Sequence, residues 1–323
     1  MNACNCGSLP TRTQLEMSNI TIIIPFFNED DTLRLTMDAL VGQTLRAEKI
    51  LMIDSGSTDT SATIINEYVN SNDKSIELLQ PMLGSPSSSV NYGLKHVKTK
   101  YVAYVDCGLE IPKNWLESQY KLLVKKNDLI VSMRIYTDGD NTLDKSLVAH
   151  TYGYKNKTIC FPGSLMDISI FKSIGVLEEN MRAGYDIDFI NRLNKFGIKR
   201  LINKRIDLKY LGINYAKDYI LASRKIFNYS LSGWKTEGDY KPHIYMIFVF
   251  LILFSITLGV SLKLFLFYIA IRGYLIPYIK SKNLFEESDL YFYLMLPISA
   301  IVFDISRTSG YLLGMKNFIM DSK

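Results

Sequence analysis

Histidine and cysteine are scarce in this chain of 323 residues, with three and four copies respectively. Their placement argues against the chemistries built on them. His96, His150 and His243 lie far apart with no ligand spacing, so ordinary structural or surface histidines are expected. Cys4, Cys6, Cys107 and Cys160 form no paired framework, and Cys4-Asn5-Cys6 lacks the second half of a zinc site. A reducing cytosol is the simplest setting for such a chain. Charge of one sign is not abundant either: 37 Lys and Arg against 32 Asp and Glu leave a net +5, scattered along the chain. This implies no nucleic-acid partner, and at most a bias toward membrane surfaces or anionic ligands. No apolar core precedes a cleavage site at the N-terminus, so no signal peptide is expected. Residues 1–18 read as a disordered extension, with Met17 as an alternative start. Long hydrophobic runs are missing up to Lys241, so the 48% hydrophobic content is concentrated in His243 to Gly314.

What is present up to about residue 215 is an alternation of strands and helices. Ile20 to Phe27 is almost wholly apolar and β-branched, as a strand buried on both faces of a parallel sheet should be. It stops at Pro25-Phe26-Phe27-Asn28. Lys49 to Ile53 ends in Asp54-Ser55-Gly56-Ser57-Thr58-Asp59, whose short polar side chains accept hydrogen bonds and cap the helix beginning near Thr60. Thr60–Val69 and Ser87–Val97 read as helices, and Ile76–Gln80 and Tyr101–Val105 as strands. The spacing implies βαβ units and an α/β fold with a mostly parallel sheet. Ligands of such sheets bind outside the carboxyl ends of the strands. Leu129–Ile135 is strand-like, whereas Thr137–Asn141 and Lys155–Met166 read as irregular segments suited to an acceptor loop. Asp186–Phe196 has helical spacing, and Ile198–Tyr210 is strand-like.

Residues 216–242 read as a linking helical segment, and 243–323 as a membrane region. His243 to Leu262 offers about twenty uncharged residues, enough to cross the hydrocarbon core. Leu264–Ile279 is shorter and carries Arg272. Leu290–Phe303 is shorter again before Asp304 and Arg307. These read as a second, tilted span and a third span or re-entrant hairpin, with a buried helical subdomain as the alternative.

The series PFFNE, IDSGSTD, SVNYGL, YVDCGLEIPKNWL and GYDIDFINRL, in that order from Ile20 to about Tyr210, resembles the motifs of family 2 glycosyltransferases of GT-A fold. Their usual forms are P-x-Y-N-E, V-D-D-G-S-T-D, A-R-N-x-G, D-x-D and E-D-x-D-x-x-x-R. The resemblance implies a Rossmann-like nucleotide-diphospho-sugar transferase domain over 19–215. It implies that Pro25, Phe27 and Glu29 line the nucleotide pocket and that Asp54 and Ser55 hold the base or ribose, Ser55 replacing a second Asp. Asn91 matches the Asn of A-R-N, with Val90 in place of its Arg. Asp106 matches the first Asp of D-x-D and is the expected ligand of Mg2+ or Mn2+. Gly108 takes the second position, so Glu110 joins only if the turn bends it back.

Asp186 aligns with the Asp of the E-D pair, with Tyr185 in place of the Glu, and is the candidate general base. An inverting transfer needs a carboxylate that takes the acceptor hydroxyl's proton as the oxygen attacks opposite the departing diphosphate. Asp188 and Arg192 are spaced to pair with each other at i, i+4. Trp115 matches a common P-x-x-W-L and is expected in the core. Arg224 and Gly233-Trp234 are only loosely similar to the Q-x-x-R-W of processive synthases, so processivity is not inferred. Arg307 to Gly314 is similar to the C-terminal end of bacterial exopolysaccharide glycosyltransferases. The resemblance and the apolar tail together imply a multi-pass protein of the cell inner membrane, its catalytic domain cytoplasmic. Such a protein would move one sugar from a nucleotide-diphosphate donor to a lipid-linked glycan in surface polysaccharide synthesis. A polyprenyl-phosphate sugar synthase and a catalytically silent sugar-nucleotide-binding or scaffold subunit are the alternatives.

Overall fold

A computed structural model describes residues 18–71, 75–81, 84–179, 181, 183–211, 219–235, 240–257, 259 and 261–321. Cys4, Cys6, Met17 and most of the expected N-terminal extension lie outside the described residues, as does part of the expected linker.

The chain runs β1 (Ser18–Phe26), α1 (Asp30–Val41), β2 (Ala47–Asp54), α2 (Ser61–Asn70), β3 (Ile76–Leu79), α3 (Pro86–Leu94), β4 (Tyr101–Tyr104), β5 (Leu109–Glu110) and α4 (Trp115–Lys126). It continues through β6 (Ile130–Thr137), α5 (Thr142–His150), β7 (Thr158–Asp167), α6 (Ser169–Ile174), α7 (Tyr185–Lys195) and β8 (Leu201–Tyr210). The strands form one sheet in the order β3-β2-β1-β4-β7-β6-β8-β5. β3, β2, β1 and β4 are parallel, β7 is antiparallel to both β4 and β6, and β6 and β8 are parallel.

The near-continuous apolar runs have a simple cause, since both faces of the parallel block are covered. Ile20, Ile22, Ile24 and Phe26 of β1 join Ile50 and Met52 of β2 in one core beneath α1, α2 and α4. The alternate residues Ile23, Leu51 and Ile53 join Val90, Phe189 and Leu193 of α3 and α7 in the other. The period-2 alternation of a strand thus divides two apolar sets instead of separating core from solvent. Trp115 is fully buried in the first core, as expected, and its Nε1 donates to Gly163 O at 3.1 Å.

Two sequence expectations are corrected here. Lys155–Met166 is not an acceptor loop: Thr158–Asp167 is β7, a central strand. Pro162 and Gly163 read as loop residues because they sit in a bulge, where the β6 pairing steps from Val131↔Leu165 to Met133↔Cys160. Gly163 has φ +82°, and a Cβ there would come within 2.5 Å of Leu208.

The apolar tail also differs. The helices are α8 (Tyr219–Leu231), α9 (Lys241–Thr257), α10 (Ser261–Tyr268), a π-helical stretch Ile269–Leu275, α11 (Ile276–Lys280), α12 (Lys282–Glu287) and α13 (Leu290–Asp321). The run from His243, expected to be the clearest span, belongs to a 17-residue helix, and the turn at Gly259 interrupts it. Among the described residues, two helices are long and apolar enough to cross a membrane, Ser261–Lys280 and Leu290–Asn317. Asp304 looked like a span end in the sequence, and Arg272 a charge within the second span. The two pair inside the helix bundle at 2.7 Å, and the helix of Asp304 runs on through it. α13 is therefore one helix of 32 residues and not a re-entrant hairpin.

α13 fastens this bundle to the rest of the chain. Phe303 shares a buried cluster with Leu147 and Val148 of α5 and Ala222 and Ile226 of α8. A Cβ at Gly310 would meet Phe227 O at 2.6 Å and one at Gly314 would meet Leu231 O at 2.5 Å. These two glycines let α13 lie against the backbone of α8, which gives the Arg307–Gly314 segment a packing role.

Candidate active site

β1 lies between β2 and β4, so its tip separates the two acidic strand ends. Phe26 pairs with Asp54 across β1 and β2, while Ile23 pairs with Tyr104 across β1 and β4, which brings Asp106 level with Pro25. Asp54 and Asp106 therefore flank the tip of β1 about 10 Å apart, two strand spacings. Asn28 leaves β1 with φ 54°, a left-handed conformation that Asn tolerates. Its Oδ1 accepts from Thr58 N at 2.8 Å and its N donates to Ser57 Oγ at 3.0 Å. Glu29 N donates to Ser61 Oγ at 2.9 Å, so the loops after β1 and β2 are laced together.

Asp54 is buried and Oδ1 accepts from Gly56 N and Ser57 N at 3.1 and 2.8 Å. Gln80 Nε2 donates to its Oδ2 at 3.1 Å. Ser55 N donates to Phe26 O at 2.9 Å, and its Oγ lies 2.7 Å from Ser89 Oγ at the start of α3. Pro25 is buried opposite Ile53, whereas Phe27 is 51% exposed. Asn91 is buried, its Nδ2 donating to Leu177 O and Glu179 Oε1 at 2.8 and 2.9 Å. Leu177 N donates to its Oδ1 at 3.0 Å. This residue holds the segment before α7 in place, so any influence on a donor runs through that segment.

Asp106 is the electrostatic centre. Tyr104 Oη donates to its Oδ1, and Tyr185 Oη lies 3.2 Å from Tyr104 Oη. Burial pushes the Asp106 carboxyl up to about 6; the Tyr104 hydrogen bond and Lys225 oppose this, while Asp186 and Glu29 reinforce it. Burial also raises Glu29, against the pull of Lys225 and of the Thr32 hydroxyl 3.2 Å away. Lys225, from α8, is itself lowered by burial and held up by Glu29 and Asp106.

Asp186 stands in the first turn of α7. Burial raises its carboxyl, opposed by backbone N–H groups of that turn and by Lys241. Asp188 pairs with Arg192 at 2.8 Å, as the spacing implied, and Arg192 also donates to Ile174 O and Val176 O. The fold thus brings Glu29, Asp106 and Asp186 into one electrostatic neighbourhood, with Asp54 and Ser55 on the other side of the β1 tip.

The donor set for a divalent cation is small. Gly108 offers no ligand, and Glu110 is exposed in β5 opposite Lys209, so the turn does not bend it back. Among the described residues no group of three His, Cys, Asp or Glu side chains is placed to hold a metal. Asp106 is left as one carboxylate, which fits a cation held mainly by diphosphate oxygens.

Three site residues escaped the motifs. Lys225 and Lys241 follow the last motif, on helices whose relation to the sheet is tertiary. Tyr104 looked like a core strand residue. Its place two positions before Asp106, on the opposite side from Val105, was the available signal.

The family model described as Glycosyl transferase family 2 matches residues 21–195. The chain is 31% identical over 106 residues to Glycosyltransferase GlyA of Streptococcus pneumoniae, covering 33% of this chain and 15% of that protein. It is 32% identical over 117 residues to a cholesterol galactosyltransferase of Borreliella burgdorferi, covering 36% and 32%. The matches thus span less than a third of the length of these curated relatives. In architecture it is similar to the mannosyltransferase PcManGT from Pyrobaculum calidifontis, solved in complex with GDP-Man and Mn2+. There the TM-score is 0.53 at 12% identity, covering 90% of this chain and 87% of that one. That likeness shows a GT-A-like fold. With more than half of its length matched by the family model, the chain belongs to glycosyl transferase family 2.

Proposed function

We propose that the chain transfers one sugar, with inversion, from a nucleotide-diphosphate donor to a lipid-linked glycan. On this reading residues 19–215 form the catalytic domain at the cytoplasmic face of the inner membrane, 216–242 the connection and 243–323 the membrane region. The carrying observation is the position of Asp186, in electrostatic range of Asp106 on one side and of Lys241, at the head of the first apolar helix, on the other. A base between the donor edge and the membrane helices suits an acceptor delivered from the bilayer.

Pro25, Phe27 and Glu29 would border the nucleotide, and Asp54 and Ser55 the base or ribose. Asp106 would be the protein's ligand to Mg2+ or Mn2+. When bound, that cation supplies positive charge to the departing diphosphate. Lys225, beside Glu29 and Asp106, adds a fixed cation of the same sign. Asp186 takes the acceptor hydroxyl's proton. Its partly buried setting raises its basicity above that of an ordinary carboxylate.

The test is transfer by the full chain in detergent, with UDP-, GDP- and dTDP-sugars, manganese and a bacterial lipid extract, followed by mass analysis of the lipid fraction. A product heavier by one sugar on a pre-existing glycan is expected. A sugar carried directly on the lipid phosphate would replace this reading with the polyprenyl-phosphate synthase. No turnover of any donor would sink it in favour of a silent subunit.

A further inference from the structure

α1 turns a buried stripe of Leu33, Thr36, Met37 and Leu40 toward the sheet, at the i, i+3, i+4, i+7 spacing of an apolar helix face. A hydroxyl is out of character there. Thr36 is fully buried, and threonine is a weaker helix former than leucine, so packing alone does not explain it. Both capacities of its hydroxyl are in use. Thr36 Oγ1 donates to Thr32 O at 3.1 Å and accepts from Gly108 N at 3.2 Å. The first bond is internal to α1. The second joins α1 to the turn that follows Asp106, 72 positions further along the chain.

Gly108 is buried, has φ +75° and stands two residues after Asp106. Its carbonyl accepts from Leu211 N at 2.8 Å, just past β8. Its N–H has Thr36 as partner on the α1 side, and without that hydroxyl a buried donor would be orphaned. Thr32, one turn earlier on α1, touches two parts of the site. Its Oγ1 donates to Glu29 Oε2 at 3.2 Å, and a Cβ at Gly108 would lie 3.7–3.9 Å from its side-chain atoms. Position 108 is where the family pattern has its second carboxylate. The Glu29 carboxylate is thus fastened to the side chain that a residue at 108 would touch.

We infer that Thr32 and Thr36 are positioning residues, which fix the Glu29 carboxylate and the turn carrying Asp106 at a set separation on one wall of the cation site. This rests on the proposed role of Asp106 as ligand to Mg2+ or Mn2+ and names the groups that aim it. Thr36 has no exposed surface and acts through Gly108, while Thr32 acts through Glu29. The support matters because Gly108 brings no carboxylate. With one ligand in the turn, a displacement of its backbone is not absorbed by a second ligand from the same loop.

The experiment follows the rise in melting temperature that Mn2+ causes in the full chain in detergent, with UDP, GDP or dTDP in excess. It reads the Mn2+ concentration at half of that rise. T36V keeps the shape of the side chain and removes the hydroxyl. Its half-point should move up by about tenfold or more, the scale on which loss of a supporting partner weakens metal binding. T32V should move it in the same direction, and T36S, which restores the hydroxyl, should return it toward the wild-type value. T21V controls for stability alone. It removes the buried contact of Thr21 Oγ1 with Thr99 Oγ1 at 2.7 Å, toward the opposite end of β1 from Phe26. T21V should lower the starting melting temperature and leave the half-point unchanged. A wild-type half-point in T36V, a T36S variant no better than T36V, or an equal shift in T21V would each overturn the positioning role. D106N separates this from the reading on which it rests. A wild-type half-point in D106N beside a shifted T36V would remove Asp106 from the proposed function and leave the threonines acting on the turn. A lost Mn2+ effect in D106N beside an unshifted T36V would do the reverse.

Discussion

Tyr185 Oη lies 3.2 Å from Tyr104 Oη, and Tyr104 donates in turn to Asp106 Oδ1. Position 185 is where the family pattern has a carboxylate beside Asp186. A carboxylate there would add negative charge next to Asp106, which already feels Asp186 and Glu29. The phenol keeps a hydrogen-bonding group at that point without the charge, so the departure from the motif is compensated locally.

Tyr104→Phe removes the donor that orients Asp106. Loss of such a supporting hydrogen bond lowers metal affinity by about 10- to 100-fold. The manganese concentration for half-maximal transfer should rise on that scale, with saturated kcat changed less. A titration of transfer rate against manganese measures it. An unchanged manganese requirement would show that Asp106 needs no such support.

Asp186→Asn keeps the size of the side chain and removes the proposed base. Transfer should fall by about 100- to 10,000-fold, the usual worth of a positioned general base. Donor binding, read as thermal stabilisation by the nucleotide sugar, should persist, because the amide keeps the size and hydrogen-bonding capacity of the side chain in the first turn of α7. Parallel loss of both would place Asp186 in donor binding instead.

Asn91→Ala should act on stability before activity. Three hydrogen bonds to Leu177 and Glu179 disappear, and buried backbone groups of Leu177 lose their partner. The expected cost is about 2–4 kcal/mol, from roughly 1 kcal/mol per bond plus the unsatisfied groups. Denaturant unfolding checks it, and a wild-type midpoint would contradict the holding role.

The parallel half of the fold was legible because its signals are local: β-branched runs, polar strand ends and helix spacing coincide from Ile20 to Val105. β7 was not, because Pro162 and Gly163 mark a loop in sequence and a bulge in the sheet, and the neighbours that make Thr158–Asp167 a strand are remote in the chain. The site divides in the same way. Asp54, Asp106 and Asp186 sit in motifs, whereas Lys225 and Lys241 reach them only through the packing of α8 and α9. The ends of the apolar helices were misplaced for a related reason, since a charge halts a hydropathy run whether or not another helix neutralises it.

His150 makes stability depend on pH. Burial and Arg272 depress its imidazole from 6.5 to about 3, against Leu296 O and Asp304, with Arg307 pushing the same way as Arg272. The unfolded chain binds a proton that the folded chain refuses, so this contribution is complete above about pH 6.5 and is lost as pH falls toward 3. Between pH 7 and pH 5 it amounts to about 2 kcal/mol at 1.36 kcal/mol per unit. Thermal unfolding at those two pH values should show the drop in the wild-type chain and a smaller one in His150→Gln.

Breaking the Arg272–Asp304 pair should cost more than replacing it. Asp304→Asn leaves Arg272 and Arg307 close together with no carboxylate between them, a loss of about 3–5 kcal/mol. In R272M/D304L neither partner is left as an unpaired charge, and Tyr245 still faces Arg307. A double-mutant cycle by thermal unfolding in one detergent should therefore find the double change less damaging than the sum of R272M and D304L. Additive losses would mean that the two side chains stabilise the bundle independently. The through-running of both apolar helices past their charges would then need a different cause from mutual neutralisation.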